Sequence, residues 1–97
     1  MPMSEQILIV EDEVKLANLM SDFLSSHHFI THQIHHGKEV LPWLEINRPS
    51  VILLDIMLPG QSGIELCKAI RRFSNVPIIM VSAKVEEIDR LLGLELG

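Results

Sequence analysis

The chain has little of what secreted, membrane-spanning or nucleic-acid-coating proteins need. Its one cysteine, Cys67, has no partner for an internal disulfide. The start, Met1-Pro-Met-Ser-Glu-Gln6, has neither the basic residues nor the apolar run of a signal peptide. No apolar stretch approaches the ~18 residues of a membrane helix. Lys and Arg number 8 against 13 Asp and Glu, for a formal charge of -5 at pH 7. The Arg71-Arg72 pair is too small a basic patch to coat nucleic acid, so no DNA or RNA contact is expected of this chain itself. Repeats, low-complexity tracts and linkers are missing too. These absences predict a soluble, cytoplasmic protein.

What is present is apolar. Hydrophobic residues make up 47% of the 97 residues, enough for one core in one domain over residues 1–97, since domains most often run about 100–150 residues. Short apolar runs alternate with helix-period segments, which predicts an α/β fold with a parallel sheet.

Gln6 to Val10 reads as the first strand, ending in Glu11-Asp12-Glu13. Val14 to His27 reads as a helix, with Leu16, Leu19, Met20, Phe23 and Leu24 in one stripe facing the sheet. Ile30 to Ile34, interrupted by His and Gln, suits a strand at a sheet edge. Gly37 to Asn47 reads as a second helix, which either starts near Leu41 or kinks at Pro42, a residue with no N–H to donate.

Val51-Ile-Leu-Leu-Asp55 is a strand covered on both faces that delivers Asp55 to a Pro59-Gly60 turn. Ser62-Gly63 opens a helix to Phe73, with Leu66, Ile70 and Phe73 on one face. Val76 to Ser82 is a further buried strand with Pro77 near its start, and Val85 to about Glu95 a last helix. Trp43 and the methionines are expected to pack in the core or at its margin, and Cys67 to be an inert buried thiol.

A flavodoxin-like, doubly wound sheet has strand order 2-1-3-4-5, and its ligand crevice lies where the order reverses, between the first and third strands. Those strands end in acids, so Glu11, Asp12 and Asp55 are expected to converge, with Ser82 arriving from the fourth strand. Two like charges 4 Å apart repel by about 4 kcal/mol at an effective dielectric near 20, a cost that a divalent cation answers. Magnesium suits carboxylate oxygens and keeps open positions for a phosphate. Asp55 then becomes a candidate nucleophile forming an aspartyl phosphate, whose oxygens the metal and the Ser82 hydroxyl would stabilise. The bland readings are that Asp55 caps a turn and that Glu11 to Glu13 are acids at the positive end of a helix.

Glu11-Asp12, Asp55-Ile-Met-Leu-Pro-Gly60 and Ser82-Ala83-Lys84 stand in the order and spacing of the response-regulator receiver domains of two-component signalling, and the chain resembles that family along its whole length. The resemblance implies that Asp55 is the phosphoacceptor, that Asp12 and Asp55 hold Mg2+ directly, that Glu11 helps, often through water, and that Met57 lends its backbone carbonyl. It makes Ser82 the switch hydroxyl, Ala83 the small residue that keeps the phosphate approach open, and a sensor histidine kinase the partner.

Arg71-Arg-Phe-Ser74 and Glu86-Glu-Ile-Asp-Arg-Leu-Leu-Gly93 look closest to the winged-helix transcription-factor class, whose DNA-binding domain lies outside this sequence. The chain stops before the family's fifth strand, its lysine and its last helix, and Lys84 is not that lysine. The expected sheet is therefore 2-1-3-4, with an exposed apolar edge at Val76 to Ser82 that invites a homodimer or segment exchange.

Three rivals stand beside a phosphorylatable receiver. A truncated or degenerate receiver would be a non-switching interaction module. A phosphohydrolase would want a second acid two residues after Asp55, where Met57 stands. A dinucleotide enzyme would want a glycine-rich turn after the first strand. His27, His28, His32, His35 and His36 crowd one region, but no cysteine or spaced carboxylate accompanies them as a metal partner.

Overall fold

Five residues, Gln6–Val10, form β1 at the centre of a parallel sheet with the order β2-β1-β3-β6. The structure, a computed structural model, describes residues 5–81. In chain order the elements are β1, α1 (Val14–Ser26), β2 (Ile30–Ile34), α2 (Val40–Ile46), β3 (Val51–Asp55), β4 (Met57–Leu58), β5 (Gln61–Ser62), α3 (Gly63–Arg71) and β6 (Ile78–Val81). The expected order 2-1-3-4 holds with β6 as the fourth long strand, and β2 lies at an edge as predicted. Ser82, Ala83, Lys84 and the expected last helix lie outside the described residues.

Parallel neighbours cannot be joined by a tight turn, so each connection carries a helix across a face of the sheet. Alternation along β1 supplies both faces. Leu8 and Val10 join Ile34, Ile52, Leu54, Leu58, Val40, Leu66 and Ile70 in a core beneath α2 and α3. Ile7 and Ile9 meet Ala17 on the other face, with Met20 and Leu24 of α1 beside them. Each fully buried aliphatic side chain contributes about 1.5–3 kcal/mol relative to staying in water, so the α2/α3 face dominates.

The helices differ from expectation in instructive ways. Leu19 is 66% and Phe23 63% exposed, so the stripe on α1 is narrower than the five apolar residues predicted. The buried face of α1 centres on Ala17, flanked by Met20 and Leu24, and Leu19 and Phe23 lie off that face. The helix stops one residue early, at Ser26, because His28 adopts a left-handed φ of 71° and the amide of Phe29 turns back to the carbonyl of Leu24 at 3.2 Å.

Before α2, Gly37–Glu39 form a 3₁₀ turn, and Pro42 falls in the first turn of the helix proper, where an amide has no partner to lose. The later start, near Leu41 rather than Gly37, is therefore right and the kink is not needed. The third helix also ends early, at Arg71, leaving Phe73 exposed instead of on the buried face with Leu66 and Ile70.

Neither β3 nor β6 is as buried as predicted. β6 begins at Ile78, after Pro77, and Ile79 on the α1 side is 53% exposed. On β3, Ile52 and Leu54 are fully buried, whereas Val51 and Leu53 on the α1 side are half-buried. Trp43 is half-buried against the larger core. Cys67 is half-buried, not enclosed, and Met57 is exposed. Among the described residues no helix is long and apolar enough to cross a membrane.

Candidate functional site

Register places the acids. Val10 pairs with both Ile34 and Leu54, and Asp55 pairs with Val81. The residue after Val10 is Glu11, so Glu11 and Asp55 stand side by side where β1 and β3 end, at the point where the strand order reverses. Glu11 is fixed at that height by its amide, which donates to the carbonyl of Ile34 at 3.0 Å.

The three predicted acids meet. Glu11, Asp12 and Asp55 each bring a carboxylate oxygen within 4.8 Å of the others. Asp12 is exposed, but Glu11 is only 3% and Asp55 5% exposed. Burial pushes the Glu11 carboxyl up to about 7, against a partial lowering by the amide of Glu13 and with further raising by the charges of Asp55 and Asp12. Asp55 is raised for the same first reason, burial, with the amide of Met57 opposing and Asp12 adding to the rise. Each buried carboxylate accepts a backbone amide two residues on: Glu13 N–H to Glu11 Oε2 at 3.0 Å and Met57 N–H to Asp55 Oδ1 at 3.1 Å. These bonds aim the carboxylates without neutralising them.

The donor set fits magnesium. It consists of carboxylate oxygens alone, gathered at one point, two of them withdrawn from water and held above the usual carboxylate range. A hard divalent cation offsets that charge and favours oxygen ligands. The helix-start reading of Glu11 to Glu13 accounts for less. Glu13 is the N-cap residue of α1 but makes no side-chain cap, and no acid lies in the first turn.

Other predicted residues fall elsewhere. Ser82 lies outside the described residues. Met57 opens the short hairpin of β4 and β5, which sequence reading took for a simple Pro-Gly turn. Gly60, φ 74°, makes its reversal, and the amide of Gly63 ties the hairpin's far end to the carbonyl of Ile56 at 2.9 Å. The histidines serve separate local ends. His32 stacks on Trp43 with ring centroids 4.7 Å apart, His35 bonds Gln33 at 2.9 Å, and the His36 ring accepts the Lys38 amide at 3.3 Å. Sequence reading missed the amides of Glu13 and Met57, because an acid two residues before an amide looks the same in any loop. An open cleft of about 800 Å³, lined by Leu41, Leu44, Arg48, Phe73 and Val76 among others, lies at the opposite, amino end of the strands and has no part in the acid cluster.

Residues 7–97 match the family described as the response regulator receiver domain. The chain belongs to that family. This receiver is 56% identical over 92 residues to the transcriptional regulatory protein BaeR of Escherichia coli O6:H1, an alignment covering 95% of this chain and 38% of that protein. It is 41% identical over 95 residues to the DNA-binding response regulator MtrA of Mycolicibacterium paratuberculosis, covering 98% of this chain and 42% of that one. The receiver thus spans about two fifths of the length of these curated relatives. Among solved structures it is similar to the BeF3-activated N-terminal receiver domain of Klebsiella pneumoniae RstA, with a TM-score of 0.80 and 29% identity over 93% of this chain and 77% of that one. The flavodoxin-like architecture expected from the sequence is the architecture of this family member.

Proposed function

We propose that this receiver accepts a phosphoryl group on Asp55 from the phosphohistidine of a sensor kinase, with Mg2+ held by Asp12 and Asp55. Glu11 helps, often through water, and Met57 lends its backbone carbonyl. The observation that carries the reading is the convergence of three carboxylates within 4.8 Å, two of them buried, at the carboxyl ends of β1 and β3. In the transfer an oxygen of Asp55 forms a bond to phosphorus as the phosphorus–nitrogen bond of the donor breaks, and the released imidazole keeps the bonding pair and takes up a proton. The metal, when bound, screens the carboxylates and the incoming phosphoryl oxygens from one another.

The amide of Met57 holds Asp55 Oδ1, which leaves the other carboxylate oxygen for attack. Ser82 is assigned the switch hydroxyl by the family likeness. Transcriptional regulators among the relatives support a cytoplasmic role in gene control, with DNA contacted by another part of the whole protein and residues 1–97 as its receiver unit. Signalling by a reversible phosphoryl mark is the role assigned here, rather than turnover of a substrate.

One experiment tests the assignment. The protein is incubated with Mg2+ and a small phosphodonor, and intact mass is measured for the parent and for Asp55→Asn. We expect a single phosphate adduct in the parent and none in the variant. An adduct that persists in Asp55→Asn overturns the assignment.

A second reading, an interaction module that pairs with its own kind, is favoured by one observation. Ile79 is 53% exposed on β6, a strand that pairs only with β3 among the described residues. A homodimer or segment-exchanged form that covers this edge is expected, and light scattering showing a monomer across a concentration series counts against it.

A further inference from the structure

We propose that Gly63 is a positioning residue for Asp55, whose missing side chain lets the start of α3 seat on the main chain that aims the carboxylate. The inference rests on the reading of Asp55 as the reacting acid.

Three glycines lie among the described positions where an added methyl can be judged, and they differ in kind. Gly60 has a left-handed φ of 74° with nothing within 4 Å, so it is needed for its own backbone and for no neighbour. A Cβ on Gly37 would meet Gln61 Oε1 at 2.9 Å, the far end of a side chain that can swing away. A Cβ on Gly63 would overlap the carbonyl oxygen of Asp55 and stand 2.8 Å from Ile56 Cα and 3.0 Å from the Asp55 carbonyl carbon. All three atoms are main chain and none can turn aside. The φ of Gly63 is not in the left-handed region, so close approach is what requires glycine there.

The main chain it touches is the part that holds the carboxylate. The peptide group between Ile56 and Met57 is gripped at both ends: its carbonyl oxygen accepts the Gly63 amide at 2.9 Å, and its N–H donates to Asp55 Oδ1 at 3.1 Å. One rigid plane therefore links the first residue of α3 to the carboxylate of Asp55. Ser62, whose hydroxyl accepts the Ile64 amide at 3.1 Å, fixes where the helix begins and so which residue meets the plane. With a methyl at position 63 there are two ways to relieve the overlap. Either α3 withdraws and gives up the bond to Ile56, or the plane rotates and takes the Met57 amide away from Asp55. Both leave Asp55 less firmly aimed at the point where Glu11 and Asp12 converge.

The test compares Gly63→Ala with Gly60→Ala by Mg2+ titration and by the amide resonance of Met57 in a proton–nitrogen correlation spectrum. In Gly63→Ala we expect the Met57 amide to move upfield as its hydrogen bond to Asp55 weakens, and Mg2+ affinity to fall about tenfold or more, the range typical for groups that orient metal ligands. Gly60→Ala should melt earlier yet keep both readouts. A Gly63→Ala protein with an unmoved Met57 resonance and Mg2+ affinity within about twofold of the parent overturns the proposal, as does an equal loss of affinity in Gly60→Ala.

Hydrogen exchange in the parent decides the matter even if Gly63→Ala does not fold. The amides of Gly63 and Met57 should show protection within about tenfold of one another, and a wider gap refutes the link. A parent without Mg2+ affinity would count against the proposed function instead, leaving the Met57 resonance to judge Gly63 alone.

Discussion

Leu54 and Asp55 are consecutive residues on β3 and are almost equally withdrawn from water, at 0% and 5% exposure, as are Val10 and Glu11 at the end of β1. The same burial acts in opposite senses one residue apart. It stabilises the apolar pair through area removed from water and holds the acidic pair above their ordinary proton affinity. The sheet spends stability at its carboxyl end and recovers it one layer below. Such a contrast is expected where a scaffold is built around a charged site.

The largest effect should come from the apolar side. Leu54→Ala removes buried methyl groups from the core under α2 and α3 and is expected to cost about 2–5 kcal/mol. Urea unfolding followed by the fluorescence of Trp43 measures this, and a loss below about 1 kcal/mol would show the core to be looser than its burial implies.

The acidic side should respond to pH. Glu11 holds its proton up to about 7 in the folded chain against 4.5 ordinarily, and Asp55 shifts in the same direction. As pH rises from about 4.5 to 7, the unfolded chain has released protons that the native chain still binds. Stability without divalent metal therefore falls across that window and levels off above it. Glu11→Gln should flatten the slope, and Mg2+, which binds the ionised native site, should lift the stability most above pH 7. Urea midpoints at several pH values, with chelator and with Mg2+, check the sign. A midpoint that climbs between pH 5 and 7 with chelator present contradicts it.

The smallest effect is expected on the outer side of α1. Leu19 is an apolar residue that lies in water, so Leu19→Gln should change stability by no more than about 0.5 kcal/mol. A loss approaching that of Leu54→Ala would mean that Leu19 is covered by another molecule in solution. The unfolding midpoint at two protein concentrations separates these cases.

Most of the strand and helix positions were legible because apolar periodicity records which face is buried, and the acids were legible because each ends an apolar run. Legibility failed where the third dimension chooses among equivalent candidates. Leu16, Leu19, Met20, Phe23 and Leu24 share a helical stripe, but the sheet takes Ala17 as its nearest neighbour and leaves Leu19 and Phe23 outside. Phe73 looked like the next residue of a buried face, yet α3 ends at Arg71, with the amide of Phe73 still closing on the carbonyl of Ile70 at 3.1 Å. Gly63 read as the opening of a helix. Nothing in the local pattern ties it to the site, because the atoms it must avoid belong to Asp55 and Ile56, eight and seven residues earlier in the chain.

By itself the sequence determined the alternation of strands and helices, the two acid-tipped strands and the family they point to, since these depend on local spacing and on charge at strand ends. Only the tertiary structure decided that Glu11 and Asp55 stand side by side, that both are buried, and that one peptide plane joins Gly63 to the Asp55 carboxylate. The reason is physical. Register between β1 and β3, and the seating of α3 on the main chain of β3, are set by packing between residues far apart in the chain.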